Sequence, residues 1–418
     1  MKFVADLHLH SSYARATSKN LNFDTLSQWA KWKGIHLLSS ADFTHPEWFR
    51  QTKLRLKEVG NGLYGYSDIK FILGTEISCI YSQGGKVRRI HCLLYFPRVS
   101  DVEKFNAKLG EKANLSADGR PIVGVSAKEL LAMALEVNEK AILIPAHAWT
   151  PWFSLYGSNS GFDSIEECFG DLSKYIYAIE TGLSSNPAMN WRIKDLDNRS
   201  IVSFSDAHSA PKMGRESTIF DIDFSYDGIL DALKKEKISK TIEFFPEEGK
   251  YHFTGHRTCG ICHSPEETDK LGIICPRCSR KLTVGVMHRV NQLADPERPE
   301  GFKASRPAFQ SMVPLQEILA EALGSPVTSE KVKDEYFKLV DFFGNEMFVL
   351  LKATIPEIEK VSENSRIAQG IDKVRKGDIK LDPGFDGVYG VVNVWDHAVK
   401  EPSPKVEASA EGQISFFD

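Results

Sequence analysis

Five of the chain's twelve histidines, His8, His10, His91, His147 and His208, stand at or just after short apolar runs. Asp42, Glu76, Glu180 and Asp206 occupy similar positions. Imidazole and carboxylate are the ligands of zinc, manganese and iron. His8 and His10 are two apart, so on a strand they share a face, and in the turn after a strand they can chelate one ion. Glu76 can bridge two ions through its two oxygens, with His91, His147 and Asp206 completing two sites of three to four ligands each. Two ions about 3.5–4 Å apart suit phosphate-ester hydrolysis, one activating water and the other holding a phosphoryl oxygen. A single histidine on a strand is ordinarily a satisfied core or surface residue. Six such groups at strand ends, one pair of them as H-x-H, are not a coincidence. His36 lacks that support and is read as structural; His45 stays undecided.

Elements must bring these residues together. Apolar patterning predicts strands over Phe3–Asp6, His36–Ala41, Lys70–Glu76, Arg88–Phe96, Ala141–Ala146, Tyr175–Glu180 and Ile201–Ser205, with Thr218–Phe224 as an eighth. Helices are predicted over Phe23–Lys33, after Pro46, and over Val102–Leu109, Ala127–Val137, Ile165–Cys168 and Ala188–Leu196. This alternation implies a parallel sheet, open or closed into a barrel. Active sites of such barrels lie at the C-terminal strand ends, where the candidate ligands fall.

A chain of 418 residues exceeds one core and implies two or three domains. With 42% apolar and 26% charged residues it is not a largely disordered polymer. It has no run of 18 apolar residues, so no membrane helix is expected, and the N-terminus reads as a strand rather than a signal peptide. A cytoplasmic protein is the expectation. From about Pro246 the texture becomes loop-rich. Cys259-Gly-Ile-Cys262, twelve residues, then Cys275-Pro-Arg-Cys278 fits a closed structural zinc site of four thiolates. The alternative C-x-x-C-H haem pattern would require export. Net charge is −4, so nucleic-acid binding needs a local basic face. Lys270, Arg277, Arg280, Lys281 and Arg289 supply a candidate, and a merely solvated surface is equally compatible with their composition. Further on, Val332–Lys352 and Pro356–Gly370 read as helices and VVNVW as a strand. The expected division is 1–245 barrel, 246–300 zinc-binding domain, 301–400 C-terminal mainly helical region and 401–418 tail.

DLHLHS, the SSAD turn, GTEIS, IHCLLY, PAHAW and SDAHS, in this order, resemble the metal motifs of the PHP (polymerase and histidinol phosphatase) family. The resemblance implies an α/β fold, a distorted (βα)7-type barrel that binds two or three divalent ions (zinc, manganese or iron, with magnesium a further option) beside the structural zinc. Carried over by motif, His8, His10, Glu76 and Asp206 hold one ion, Glu76, His91 and His147 a second, and His208 belongs to a third. The chain departs from the family where Phe43 replaces the histidine of a T-D-H turn. Asp42 or His45 would then serve the third ion, or that ion is absent.

ETGLSSNP, GRES, RPAFQSMVPLQEILAEALG and PGFDGVYG extend the similarity to the endonuclease Q members of the family. That resemblance implies damaged DNA as partner and incision 5′ to deaminated bases (uracil, hypoxanthine, xanthine) and abasic sites. Trp48, Trp149, Trp152, Phe153 and Tyr156 are available to stack a flipped base, and Asn159, Asn186 and Asn190 to read its edge. Two other readings stand beside it: a histidinol-phosphatase-like phosphomonoesterase, and a non-catalytic module docking a helicase or polymerase. The tail Gln413-Ile414-Ser415-Phe416-Phe417 resembles a sliding-clamp-binding peptide.

Overall fold

The computed structural model describes residues 1–395 of the 418. The proposed clamp peptide therefore lies outside the described residues. Among those residues, no helix is long and apolar enough to cross a membrane.

An eleven-stranded sheet organises the N-terminal part. At its centre Lys2–Asp6 pairs in parallel with Leu37–Ser39 and antiparallel with Ser217–Asp221. Leu37–Ser39 runs parallel to the long strand Ile69–Gln83, which folds back on Lys86–Phe96, itself antiparallel to Ile142–Pro145. Beyond Ser217–Asp221 come Ile238–Glu243, antiparallel, and Ala308–Ser311, parallel. Ala178–Glu180 and Ser200–Val202 form a separate parallel pair.

The mixed α/β class, the four-ligand segment and the C-terminal helices agree with the sequence reading; the expected largely parallel pairing does not. The hairpin Ile69–Gln83/Lys86–Phe96 turns on Gly84 and Gly85, both at positive φ (61° and 72°). Consecutive left-handed residues give a turn whose twist matches an antiparallel pair, so this tight hairpin displaces the crossover connection.

Alternation along the strands fills the interior below the site: Phe3, Ala5 and Leu7 point one way, joined by Ile72, Leu93, Tyr95, Ile144, Val202 and Phe204. Phe43 lies fully buried against Phe96 and Phe105. Burying such a ring is worth about 2–3 kcal/mol, so the position that departs from the family motif serves packing.

Phe23–Lys33 and Ala127–Val137 are the helices expected. Asn22 caps the first through Thr25 N–H, and a Ser126/Glu129 capping box starts the second. The C-terminal helices are shorter than their apolar patterning suggests. Val332–Lys352 becomes Glu330–Phe343 and Glu346–Leu351, broken at Gly344 and restarted by the Asn345 cap. Pro356–Gly370 becomes Ile355–Ser362 and Ser365–Lys376, broken at Glu363 (φ 56°) and restarted by Asn364. These helices have their own core, yet they are joined to the sheet: Ala308–Ser311 is one of its strands, and buried Lys33 pairs with Glu346 at 2.6 Å. Glu346 also accepts from Leu315 N–H and Tyr336 O–H, so its charge is fully engaged.

Glu180, Glu216 and Glu243 are all buried beneath the site. Burial, aided by Glu180, pushes Glu243 up to about 8 against the hydroxyls of Thr241, Thr181 and Ser203, and burial beside Glu243 pushes Glu216 well above the usual carboxyl range. Glu216 Oε2 and Glu243 Oε1 have no hydrogen-bond partner among the described residues, as suits oxygens that carry a proton. The folded chain thus binds protons that the unfolded chain releases above about 4.5. Stability present below that range is lost as pH rises towards about 8. Glu243→Gln keeps the neutral shape and should flatten the fall in melting temperature between about pH 4.5 and pH 8, measured by calorimetry; an unchanged slope would remove Glu243 as its source.

Candidate metal centre

The backbone does unusual things where the strands end. Ala41, Asp42, His147 and Asp206 all have positive φ (56°, 36°, 30° and 47°) without being glycine. Such conformations cost of order 1–3 kcal/mol each and persist only where the surroundings enforce them. Here they are enforced. Asp42 Oδ2 accepts from Ser11 N–H at 2.6 Å, and Glu180 Oε2 accepts from His147 N–H at 2.7 Å. Asp6 accepts from Ser205 and Gly214 N–H, both at 2.9 Å, while Arg215 of the GRES segment donates to the carbonyls of Ser205 and Asp206. Trp48 Nε1–H donates to the carbonyls of Ser40 and Ala41, fixing the SSAD turn.

Two donor groups result, and both contain Glu76. In the first, His8, His10, Glu76 and Asp206 offer atoms within 4.8 Å of one another. His8 Nε2 lies 3.4 Å from both Glu76 Oε2 and Asp206 Oδ1, and His10 Nε2 lies 3.2 and 3.1 Å from the same two oxygens. In the second, Glu76 Oε1 lies 2.6 Å from His91 Nδ1 and 3.3 Å from His147 Nε2, and the two ring nitrogens are 3.1 Å apart. His8 Nε2 is buried with no hydrogen-bond partner among the described residues. Donors at roughly 2.0–2.1 Å from a tetrahedral centre stand roughly 3.3 Å from one another. Oxygen and nitrogen lone pairs at that spacing, one of them otherwise orphaned, fit a divalent cation better than they fit hydrogen bonds.

The electrostatics agree. Burial alone would raise Glu76, but the charges of His91, Arg120 and His8 outweigh it and hold the carboxyl well below its ordinary range. Asp206 behaves likewise: burial is overcome by His8, His208 and His10. Burial opposes protonation of His8 and His10, yet the carboxylates around them hold both well above the imidazole range, the mark of a concentrated negative field that a bound cation would compensate in place of those protons. Burial takes His91 down to about 4, against the pull of Glu76.

The remaining candidates stand around these groups. Asp42, expected as a ligand, lies behind His10, 3.3 Å from Nδ1, and belongs to neither group. The His208 ring lies tilted against that of His10, centroids 4.6 Å apart, with Nδ1 2.9 Å from the carbonyl oxygen of Asp206, also outside both groups. His45 accepts from Trp48 N–H as a helix cap, and His36 accepts from Val4 N–H, a structural role as read. Two residues were not singled out as site residues by sequence. Glu180 holds His8 Nδ1 at 2.9 Å, fixing the ring with Nε2 towards the site. Arg120 donates to Glu76 Oε2 at 3.1 Å. Glu180 closes a strand, which was a visible signal; Arg120 follows a loop with no pattern.

Of the aromatic candidates, Trp48, Trp149 and Tyr156 are buried structural residues. Phe153 packs on His91 at 4.8 Å and Trp152 on Tyr251. Asn186 caps a short helix and Asn190 accepts from Trp149 Nε1–H; Asn159 is exposed.

The cysteine segment gathers His256, Cys259, Cys275 and Cys278. Cys262, expected in the set, is exposed and outside it. The reason is the hairpin Thr254–His256/Ile261–His263, which brings His256 to Cys278 Sγ at 3.4 Å while Cys262 is paired opposite Gly255. His256-x-x-Cys259 has the same spacing as a cysteine pair, so the signal was present. Burial disfavours the Cys275 thiolate, but the amides of Arg277 and Cys278 outweigh it and draw the thiol below its ordinary range, as a zinc ligand needs. Of the basic residues, Lys270, Arg277, Arg280 and Lys281 are exposed. Arg289 is not available: it donates to the carbonyls of Tyr156 and Phe162 and pairs with Asp163.

A family model described as the MJ0043 C-terminal domain matches residues 314–378. The chain is 32% identical over 260 residues to the protein MJ0043 of Methanocaldococcus jannaschii, covering 59% of this chain but only 31% of that relative. It is 29% identical over 416 residues to YqxK of Bacillus subtilis, covering 94% of this chain and 99% of that one. Among solved structures it is similar to the lesion-specific endonuclease PfuEndoQ from Pyrococcus furiosus, with a TM-score of 0.82, 32% identity, and coverage of 94% of this chain and 95% of the other. An Endonuclease Q complex with a 27-mer duplex carrying an abasic lesion at the active site matches with a TM-score of 0.84, 31% identity, and coverage of 97% and 100%.

Two measurements check these assignments. Cys262→Ser should retain its zinc, whereas His256→Ala should lose about one zinc per chain by elemental analysis. Glu180→Gln should weaken metal uptake by the His8 group by about 10–100-fold in a competition titration, leaving the cysteine segment loaded.

Proposed function

The chain belongs to the endonuclease Q family, and from that membership and the geometry of the site we propose that it is a metal-dependent DNA repair endonuclease. It hydrolyses the phosphodiester bond 5′ to deaminated bases (uracil, hypoxanthine, xanthine) and abasic sites, leaving a 3′-hydroxyl and a 5′-phosphate that carries the lesion. The observation that carries this reading is the pair of donor groups sharing Glu76.

His8, His10, Glu76 and Asp206 would hold one divalent ion, and Glu76, His91 and His147 the other. Ions bound there supply Lewis acidity and lower the pKa of water to about 7. The chain's own residues do the rest. Glu180 and Asp42 hold the Nδ1 sides of His8 and His10, so both Nε2 atoms face the oxygens of Glu76 and Asp206. Arg120 keeps a permanent positive charge at Glu76, suited to a phosphate oxygen in the cleft. His208 lies at the partly exposed margin beside Asp206 and can exchange a proton there.

The exposed Lys270, Arg277, Arg280 and Lys281 support a polymeric anionic substrate rather than a small phosphate ester. A deaminated or abasic nucleotide is also cheaper to extrude than a paired one, by a few kcal/mol.

Asp206→Asn should lower incision of uracil-containing duplex at least about a hundredfold while sparing the fold, and Glu76→Gln should be at least as severe, because both donor groups contain it. End-labelled duplexes resolved on a denaturing gel provide the measurement. Incision should also fall steeply as salt rises, with hydrolysis of a small chromogenic phosphate little affected. Release of inorganic phosphate from histidinol phosphate, with no cut in any lesion duplex, would instead support the phosphomonoesterase reading.

A further inference from the structure

The turn Phe385-Asp386-Gly387-Val388-Tyr389-Gly390 is held more firmly than its surface position requires. Phe385 and Val388 exchange backbone hydrogen bonds at 3.0 and 2.8 Å. Gly384, Gly387 and Gly390 N–H donate to the carbonyls of Glu247, Lys250 and Glu248, and Phe253 N–H donates back to Gly384. The Asp386 carboxylate accepts from Arg257 N–H at 2.7 Å and from Thr283 O–H at 2.6 Å, tying the turn to the cysteine segment.

This rigid mount displays apolar surface. Tyr389 is 67% exposed and Val388 is 42% exposed, next to each other at the tip. The Lys250 ammonium lies 4.6 Å from the centre of the Tyr389 ring, and the Arg257 guanidinium covers Gly387, where a Cβ would stand 2.9 Å from Nη1. Arg277, Arg280 and Lys281 are exposed on the cysteine segment to which the turn is tied. The turn's own carboxylate, Asp386, is taken up by Arg257 N–H and Thr283 O–H, and beneath it burial pushes Glu247 up, and Glu248 up to about 8. An aromatic tip flanked by cations matches a nucleic-acid duplex, with stacked bases inside and phosphates outside.

The mount also leads back to the site. A Cβ on Gly182 would lie 2.4 Å from the Cβ of His147, one on Gly249 would lie 3.3 Å from the Leu183 carbonyl, and one on Gly384 would lie 2.4 Å from the Gly249 carbonyl. Three close approaches, at Gly182, Gly249 and Gly384, thus lead from His147 to the turn. We propose that the Val388–Tyr389 turn is a wedge that enters the duplex beside the lesion, the Tyr389 ring taking the stacking place of the extruded nucleotide while Lys250 and Arg257 hold flanking phosphates. The inference rests on the endonuclease reading and adds the residue that keeps the lesion out of the stack.

A wedge matters only where there is a stack to fill, which defines the test. Full-length wild type, Tyr389→Ala and Tyr389→Phe are assayed on one uracil-containing strand, single-stranded and annealed. Tyr389→Ala should lose at least about fivefold on the duplex, the low end of a lost base–aromatic stack, and stay within about twofold on the single strand. Tyr389→Phe should match wild type on both. A 2-aminopurine placed opposite an abasic site should change its fluorescence on binding wild type and not on binding Tyr389→Ala, a readout independent of cleavage. Equal duplex rates for wild type and Tyr389→Ala overturn the wedge and leave the endonuclease reading intact. An equal loss on both substrates also overturns it, because the tyrosine is then a general contact. If wild type neither cuts nor binds any lesion substrate, the endonuclease reading fails first and the wedge with it.

Discussion

The arrangement depends on one buried carboxylate. Glu76 lies at the middle of the longest strand, almost without solvent, with His8, His10 and Arg120 on one oxygen and His91 and His147 on the other. An isolated charge there would be strongly disfavoured, and the carboxyl would take up a proton instead. It stays ionised because the surrounding cationic groups compensate it. His8 and His10 follow the strand Lys2–Asp6, His91 lies within Lys86–Phe96, His147 follows Ile142–Pro145, and Arg120 comes from a loop. The left-handed backbone at Asp42, His147 and Asp206 is the local cost of pointing side chains at one place.

That cost is met by a layer of residues that touch no substrate-facing atom themselves. Asp6 joins the first strand to the segment bearing Asp206, Asp42 holds His10 and Ser11 together, and Glu180 joins His8 to the backbone of His147. Each carboxylate links two elements distant in sequence, and each is buried. Orientation of the inner ring therefore follows from the fold rather than from the ring's own charges.

Most of the inner ring was legible in the sequence, because His8, His10, Glu76, His91, His147 and Asp206 all follow apolar runs and the H-x-H pair is conspicuous. The outer layer was less so. An aspartate that orients a histidine and one that ligates an ion sit at the same kind of strand end, so Asp42 could not be sorted by position. Arg120 comes from a loop without periodicity. The helices Phe23–Lys33 and Ala127–Val137 were legible because capping residues and apolar spacing agree there. Val332–Lys352 and Pro356–Gly370 misled because apolar spacing continues through a break, and only the Asn345 and Asn364 caps mark it. The antiparallel hairpin was encoded in Gly84-Gly85, a local signal that the strand–helix alternation around it outweighed.

The cysteine segment illustrates how spacing and topology differ as sources of information. C-x-x-C names a turn that can present two ligands, but whether both thiols face one centre depends on which strand follows. Here Ile261–His263 pairs with Thr254–His256, and a strand's alternation sends Cys262 away from the side that His256 and Cys259 share. The same pairing brings Gly255 against Thr283 and against Phe385, so the ligand set and the Phe385–Gly390 turn rest on one short hairpin. Loss of the ion would therefore loosen the turn as well as the segment, since a fold this small has little core apart from its ligands. The C-terminal region is thus a second set of mutually dependent contacts, which approaches the first along Gly384, Gly249, Gly182 and His147.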